Sequence, residues 1–453
     1  MDSGRPLNST GEMTRKALSV AWPAMAESFF VVLAGMIDTM MVSELGPYAV
    51  SAVGLTVQPK FIALTLFFGI NVAVSALVAR RKGEQRREKA NEILVTAIIV
   101  SLVLCAVISV CFTVFAPQLM RLSGSNADTH DAAVDYFRII MAGTVFNVIT
   151  MVINAAQRGS WNTKLSMTTN LTSSVVNVIF NYLLINGHLG FPAWKIRGAA
   201  IATVLGTVVA AGMALFSLFR TRSYVSMPLI RKQQIRFSRD SLKSIRMIAL
   251  NTSLENIAAR VGFLATAMVA ARLGTDEFAA HNIGMNILSL GFSFADGMQV
   301  AAVALTGEAL GAGLKEKARK YGAICQRIGL VISMILSLLL LAGGKWFYSL
   351  YFEEEHILDM GMIICRYVMV IVLLQISQII FSGCLRAAGD VRYVLMAATV
   401  SIAVIRTAVT IVLVNVFDMG LAGVWIGILA DQISRFTFVS LRFRRGEWVN
   451  LKI

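Results

Sequence analysis

The hydrophobic and polar positions of this chain form long apolar runs separated by short polar, basic segments. About twelve runs reach the ~20 residues that a membrane-crossing helix needs. They lie at roughly 17–42, 49–79, 92–116, 131–155, 163–186 and 198–220, then at 243–271, 278–311, 321–344, 359–386, 394–416 and 420–441. A transmembrane barrel would instead show alternating segments of ~10 residues. The pattern predicts an all-α polytopic membrane protein of about twelve transmembrane helices.

The runs also repeat. Glu27 and Glu255 stand 228 positions apart, and the same offset carries Leu45-Gly46 onto Leu273-Gly274. It carries Gly69 onto Gly297, Lys89-Ala90 onto Lys317-Ala318, Arg138 onto Arg366 and Arg158 onto Arg386. A register kept across residues of such mixed chemistry predicts a duplicated membrane unit. Such units often form a site from their two halves, as in many secondary transporters. The expected division is an N-terminal six-helix lobe over 1–220, a basic linker over 221–242 and a C-terminal six-helix lobe over 243–453.

Composition agrees with lipid as the solvent. Hydrophobic residues make up 57% of the chain and charged residues 15%, against about 25% charged in a soluble chain. The net charge of +15 does not point to nucleic acid, because the basic residues sit in short runs between apolar spans. With the N-terminus in the cytoplasm, the inside segments hold Arg5, Arg15 and Lys16, the Arg80–Lys89 cluster, the basic 220–246 stretch, the 315–320 run and Arg442, Arg444 and Arg445. The outside loops hold few, such as Arg121, Lys195 and Arg197, beside acids such as Asp128, Glu353 and Glu355. The positive-inside rule therefore places both termini in the cytoplasm. An even number of spans per half makes the repeats parallel. The first span is as long as the others and lacks a nearby small-residue cleavage site, so it reads as a retained helix and not a signal peptide.

Several chemistries are not supported. The five cysteines lie in or at apolar spans without a CxxC, and the four histidines form no ligand pair. No phosphate loop, GxSxG elbow or HExxH is present, so neither an enzyme nor an ATP-driven pump of that type is expected. No cofactor is expected. Transport would draw on an ion gradient.

Acids inside apolar spans are costly and are functional candidates by default. Here they are Glu27, Asp38, Glu255, Asp296, Glu308 and Asp431. Asp38 has apolar neighbours on both sides. It lies eleven residues beyond Glu27, about three helical turns, so both acids lie near one face. Glu27 and Glu255 are the repeat-related pair and read equally as functional or as structural partners. Glu308 sits beside the 315–320 run and suggests an interfacial ion pair. Arg406 and Asp431 are expected to neutralise each other, since buried charges usually pair. In the fifth span Asn170, Asn177 and Asn181 share one helical face, and Thr203 follows in the sixth. Such a stripe serves as helix–helix glue, or coordinates a small cation, or hydrogen-bonds a protonatable acid. The chain's 22 methionines suit an adaptable apolar wall.

At these residues the chain resembles a known family. "PAMAESFFVVLAGMIDTMMVSELGPYAVSAVGL" is similar to the first helix and following loop of multidrug and toxic compound extrusion (MATE) transporters. "AAQRGSWNTKLSM" and "GCLRAAGDVRYVLM" resemble that family's paired loops, and "GVWIGILADQISRF" its last helix. The resemblance covers nearly the whole chain and suggests a DinF-like or related bacterial branch. It implies two six-helix lobes around a V-shaped cavity in the cytoplasmic (inner) membrane, working as a monomer. It further implies export of small amphipathic organic cations in exchange for a proton or sodium. The family's first-lobe ion site maps onto Asp38, Asn177 and Thr203, with Asn181 where the family has a second Asp. A sodium ion, if used, would sit at these four. A second family pattern places acids in helices seven and ten; Glu255 matches the first, while helix ten offers only Gln375 and Gln378. One missing carboxylate in each site favours protons. A lipid-linked oligosaccharide flippase is the alternative from the same superfamily, and sodium-coupled drug efflux is the other.

Overall fold

The computed structural model describes residues 9–219, 223–349 and 354–451. Arg5, Arg220, Arg222 and Glu353, counted above towards loop charge, lie outside them. The described residues form helices and no strand. In the first half these are α1 (Thr10–Ser43), α2 (Pro47–Gly83), α3 (Arg87–Val114), the short α4 (Ala116–Leu122), α5 (His130–Gly159), α6 (Thr163–Ile185) and α7 (Lys195–Leu218). A short α8 (Met227–Lys232) lies between the halves. The second half holds α9 (Arg239–Leu273), α10 (Thr275–Gly311), α11 (Lys315–Ser349), α12 (Glu355–Ala388) and α13 (Val391–Ala398). A π-helical stretch, Thr399–Arg406, joins α13 to α14 (Thr407–Asn415), and α15 (Gly420–Arg445) follows.

Eleven of these helices, with Val391–Asn415 taken as one, are long and apolar enough to cross a membrane. Helix α6 matches the fifth apolar run, but its asparagines, serines and threonines keep it below that mark. The outward faces suit lipid. On α3, Ile99, Val103, Val107, Val110 and Val114 recur every three or four residues and are all exposed. Such a stripe facing water would forgo roughly 1.5–3 kcal/mol per side chain; facing hydrocarbon it forgoes nothing. Helices satisfy their backbone groups within the segment, as hydrocarbon requires; Pro23 in α1 and Pro59 in α2 each interrupt that ladder by one bond.

The repeat is visible in the turns. Gly46 (φ 105°) precedes α2, and Gly274 (φ 153°), 228 residues on, precedes α10. Both angles are ones that L side chains rarely adopt. Pro47 then fits the first turn of α2, where its missing N–H leaves no bond unmade.

The chain packs as two compact units, Ala26–Leu250 and Met1–Met25 with Asn251–Ile453. The cuts fall within α1 and α9. The opening of α1 belongs with the second half: a Cβ on Gly297 of α10 would lie 2.5 Å from the Met25 backbone, so a glycine is what admits that approach. The opening of α9 and the described part of the linker, 223–242, belong with the first. There Asn91 accepts from the Ser226 N–H (2.9 Å), Thr96 accepts from the Ser238 N–H (3.1 Å), and Arg87 donates to the Tyr224 carbonyl (2.8 Å). In the first unit Val42, Ala52, Met120, Phe137, Met141 and Ala199 share one core. Its many alanines allow close helix approach where hydrophobicity alone does not drive association.

Candidate functional site

Helices α1, α6 and α7 bring four of the predicted polar residues into one neighbourhood of the first unit. Asn181 of α6 donates from Nδ2 to Asp38 Oδ1 on α1. One turn earlier, Asn177 donates to Thr203 Oγ1 of α7 at 3.2 Å, and Thr203 donates to the Ala199 carbonyl at 3.0 Å. Asn177 also stands close to the Asp38 carboxylate. Seven-and-four spacing along α6 splits the asparagine stripe into two tasks, because Asn170 turns to a different acid. Asp38 is half-buried, whereas Asn181 is fully buried, and Asn181 Oδ1 has no hydrogen-bond partner. Beside a carboxylate, such an oxygen can accept from a protonated Asp38 after an amide flip, or coordinate a cation.

Two further residues border this site and were not picked out from the sequence. Lys60 of α2 interacts electrostatically with Asp38 without forming a direct ion pair. Tyr136 of α5, 4% exposed, lies close to both Asp38 and Thr203. The signal for Lys60 was present: a lone lysine after Pro59 inside an apolar run is as costly as a lone acid there. Its charge is opposite in sign to the Asp38 carboxylate and acts on it at a distance.

Glu27 and Glu255 are both engaged by arginines that the same offset relates. Arg158 Nη1 donates to Glu27 Oε1 at 3.1 Å, with Ser166 (3.1 Å) and Asn170 (2.5 Å) donating to the same oxygen. Arg158 Nη2 reaches Asn71 at 2.9 Å. In the second unit Arg386 donates to Glu255 Oε1 at 2.6 Å. Each pair ties the first helix of its half to the end of the fourth. Gln375 and Gln378 on α12 are buried, yet neither hydrogen-bonds Glu255. The structure therefore does not join Glu255, Gln375 and Gln378 into one cluster.

Arg406 and Asp431 form the expected ion pair, and Asp431 has a second, closer partner. Arg406 Nη1 stands 3.8 Å from Asp431 Oδ2, beyond hydrogen-bond reach. Asp431 is held more closely by Arg435, one turn along α15, at 2.7 and 2.8 Å. An acid and an arginine four residues apart on a helix face each other, so this partner was readable from spacing.

Comparison with known proteins places this geometry in a family. The family model described as MatE matches residues 23–183 and 252–412, one match in each half. The chain is 26% identical over 446 residues to a "Probable multidrug resistance protein NorM" of Thermotoga maritima, covering 98% of this chain and 95% of that one. It is 23% identical to the "Uncharacterized transporter YisQ" of Bacillus subtilis, over 98% and 97% of the two chains. Among solved structures, a MOP superfamily transporter from Pyrococcus furiosus superposes with a TM-score of 0.89 at 23% identity, over 99% of this chain and all of that one. An outward-facing multidrug resistance MATE family transporter superposes with 0.88 at 24%, over 98% and 100%. These structural likenesses establish the fold. With both halves matched by the family model, the chain belongs to the MatE family: it is a multi-pass membrane transporter and not an enzyme.

Proposed function

We propose that the protein is a proton-driven antiporter exporting small amphipathic, mostly cationic compounds across the cytoplasmic membrane. The observation that carries this reading is Asp38, a half-buried carboxylate hydrogen-bonded by Asn181 and acted on at a distance by the opposite charge of Lys60. Asp38 is a lone carboxylate among amides and a hydroxyl within a membrane-spanning helix, a setting that suits uptake and release of a proton. Sodium must exchange its hydration water for oxygen ligands carrying sufficient negative charge. One carboxylate with a lysine in its field is a poor cage for it, although Asn177, Asn181 and Thr203 supply oxygens. Exchange of one proton for one monovalent cation at Asp38 would also balance charge.

A lipid-linked oligosaccharide flippase would need several uncommitted cations at one surface to hold pyrophosphate. Arg158, Arg386 and Arg435 are each committed to an acid, and Arg406, 1% exposed, is too enclosed to hold a lipid pyrophosphate, which favours drug export. The same lysine and arginine distribution that predicted both termini in the cytoplasm gives the exporter its orientation.

The test is efflux of a cationic dye from vesicles with independently set gradients. An inward proton gradient without sodium should drive export. If it drives none, and an inward sodium gradient at uniform pH does, the proton assignment fails. Resistance limited to one anionic compound, in a host stripped of its own pumps, would overturn the substrate class.

A further inference from the structure

The second unit buries two guanidiniums, Arg406 and Arg435, against one carboxylate, Asp431. Arg406 is 1% exposed, Asp431 0% and Arg435 8%. The charged groups that act on Arg406 are Asp431 and Arg435, so two guanidiniums share one carboxylate. Arg435 takes most of that carboxylate, donating to both of its oxygens, and Gln432 donates to Oδ2 at 3.1 Å. Arg406 donates only Nε–H, to Thr266 Oγ1 at 2.9 Å, and its guanidinium lies 4.7 Å from the centre of the Phe263 ring. Among the described residues neither Nη of Arg406 makes a hydrogen bond, and Nη1 stands 3.8 Å from Asp431 Oδ2. The π-helical stretch Thr399–Arg406 carries this arginine at its end; π turns recur at functional sites because they re-aim a side chain within a helix.

Further buried donors nearby are unused. Arg435 Nε has no partner, nor has the indole Nε1 of Trp425 or Nδ1 of His281. The His281 and Trp425 rings lie 5.5 Å apart, and His281 lies within the field of Arg406. Trp425 is 0% and His281 3% exposed. The indole N–H can only donate, and His281 donates from Nδ1 in one tautomer. Gln432 Oε1 is an unpartnered acceptor, and the Thr410 hydroxyl, one turn beyond Arg406, is also unpartnered. A guanidinium in an apolar interior requires a counter-charge as well as hydrogen bonds. The ring of Phe263 supplies a weak attraction and no negative charge. Water would fill hydrogen bonds and leave two guanidiniums on one carboxylate.

We propose that the second unit binds a small monovalent anion of chloride size against the two Nη groups of Arg406, between α9, α15 and the π-helical stretch. The 228-residue offset that carries Glu27 onto Glu255 carries Asp38 onto Thr266. The first unit thus holds a fixed anion at this place and accepts a mobile cation, while the second holds a fixed cation and accepts a mobile anion. The anion site stands independently of the coupling ion proposed for Asp38.

The experiment uses purified full-length protein in detergent and follows thermal unfolding at constant ionic strength, with sodium gluconate exchanged for sodium chloride or bromide. The wild type should gain a saturable increment of roughly 2–3 °C with chloride, and bromide-soaked crystals should show an anomalous peak beside Arg406. The Asp38→Asn variant should keep the increment. Thr266→Asp supplies a built-in carboxylate; it should be as stable in gluconate as the wild type in chloride and lose the chloride response. Arg406→Gln should lose it too, and should it fail to fold, the wild-type and Thr266→Asp measurements still decide. Equal unfolding in gluconate and chloride, with no bromide peak, would show a cluster served by ordered water and overturn the proposal.

Discussion

Asp38 and Thr266 hold the same place in the two halves by the 228-residue offset, and the chemistry around them is opposite in sign. In the first unit a carboxylate meets amides, a hydroxyl and a lysine. In the second a hydroxyl meets an arginine that shares its only acid with another arginine. Elsewhere the halves agree. Gly46 and Gly274 open the second helix of each half, and Glu27–Arg158 and Glu255–Arg386 tie the first helix of each to the end of the fourth. Both halves keep the arginine–glutamate pairs that fix helix position, and they differ at the position where we propose that each binds a mobile ion.

The largest effect that can break this comparison is at Asp38. The Asp38→Asn variant should fold and reach the membrane, yet export at the level of membranes without the protein. Thr266→Asn at the related position should leave export largely intact. Dye efflux from vesicles measures both, and wild-type export by a well-expressed Asp38→Asn protein would remove the first-unit site.

The shared clamps should fail alike. Removing one partner of a buried ion pair leaves its counter-charge stranded, at about 3–5 kcal/mol. Arg158→Met and Arg386→Met should each destabilise by roughly that much, with the Glu27→Gln, Arg158→Met double variant recovering part of the loss. Thermal unfolding decides. The Arg158 clamp holds more partners, so a larger loss at Arg386 would mean the two are not equivalent.

A smaller effect sharpens the role of Lys60. Taking its charge away with Lys60→Gln should raise sodium affinity at Asp38 by about tenfold, the worth of one nearby unit charge at a half-buried site. Asn181→Asp should act in the same direction by adding a carboxylate. Sodium titration of efflux at fixed pH reads both, and unchanged sodium response in the two variants would separate Lys60 from the site. The smallest effect belongs to Thr203. Thr203→Val removes the acceptor of the Asn177 amide, worth about 1 kcal/mol, so coupled efflux should fall roughly fivefold. An unaltered rate would assign Thr203 to packing alone.

The sequence by itself determined the class and the plan of this protein. Apolar run length follows directly from bilayer thickness, and a constant offset survives any ignorance of packing. Asp38, Asn177, Asn181 and Thr203 could be singled out because a polar group in hydrocarbon is costly wherever it points. Tertiary structure alone decided which partner each polar group meets. Helical periodicity locates a residue on a face of its own helix and is silent about which neighbouring helix that face meets. Asn170 therefore reads as part of one stripe with Asn177 and Asn181, yet it serves Glu27. Asp431 reads as the partner of Arg406 alone, yet Arg435 holds it more closely. Lys60 drew no notice until α2 set it within reach of Asp38. The cuts within α1 and α9 are likewise products of packing, since an uninterrupted helix carries no local mark of the place where its neighbours change.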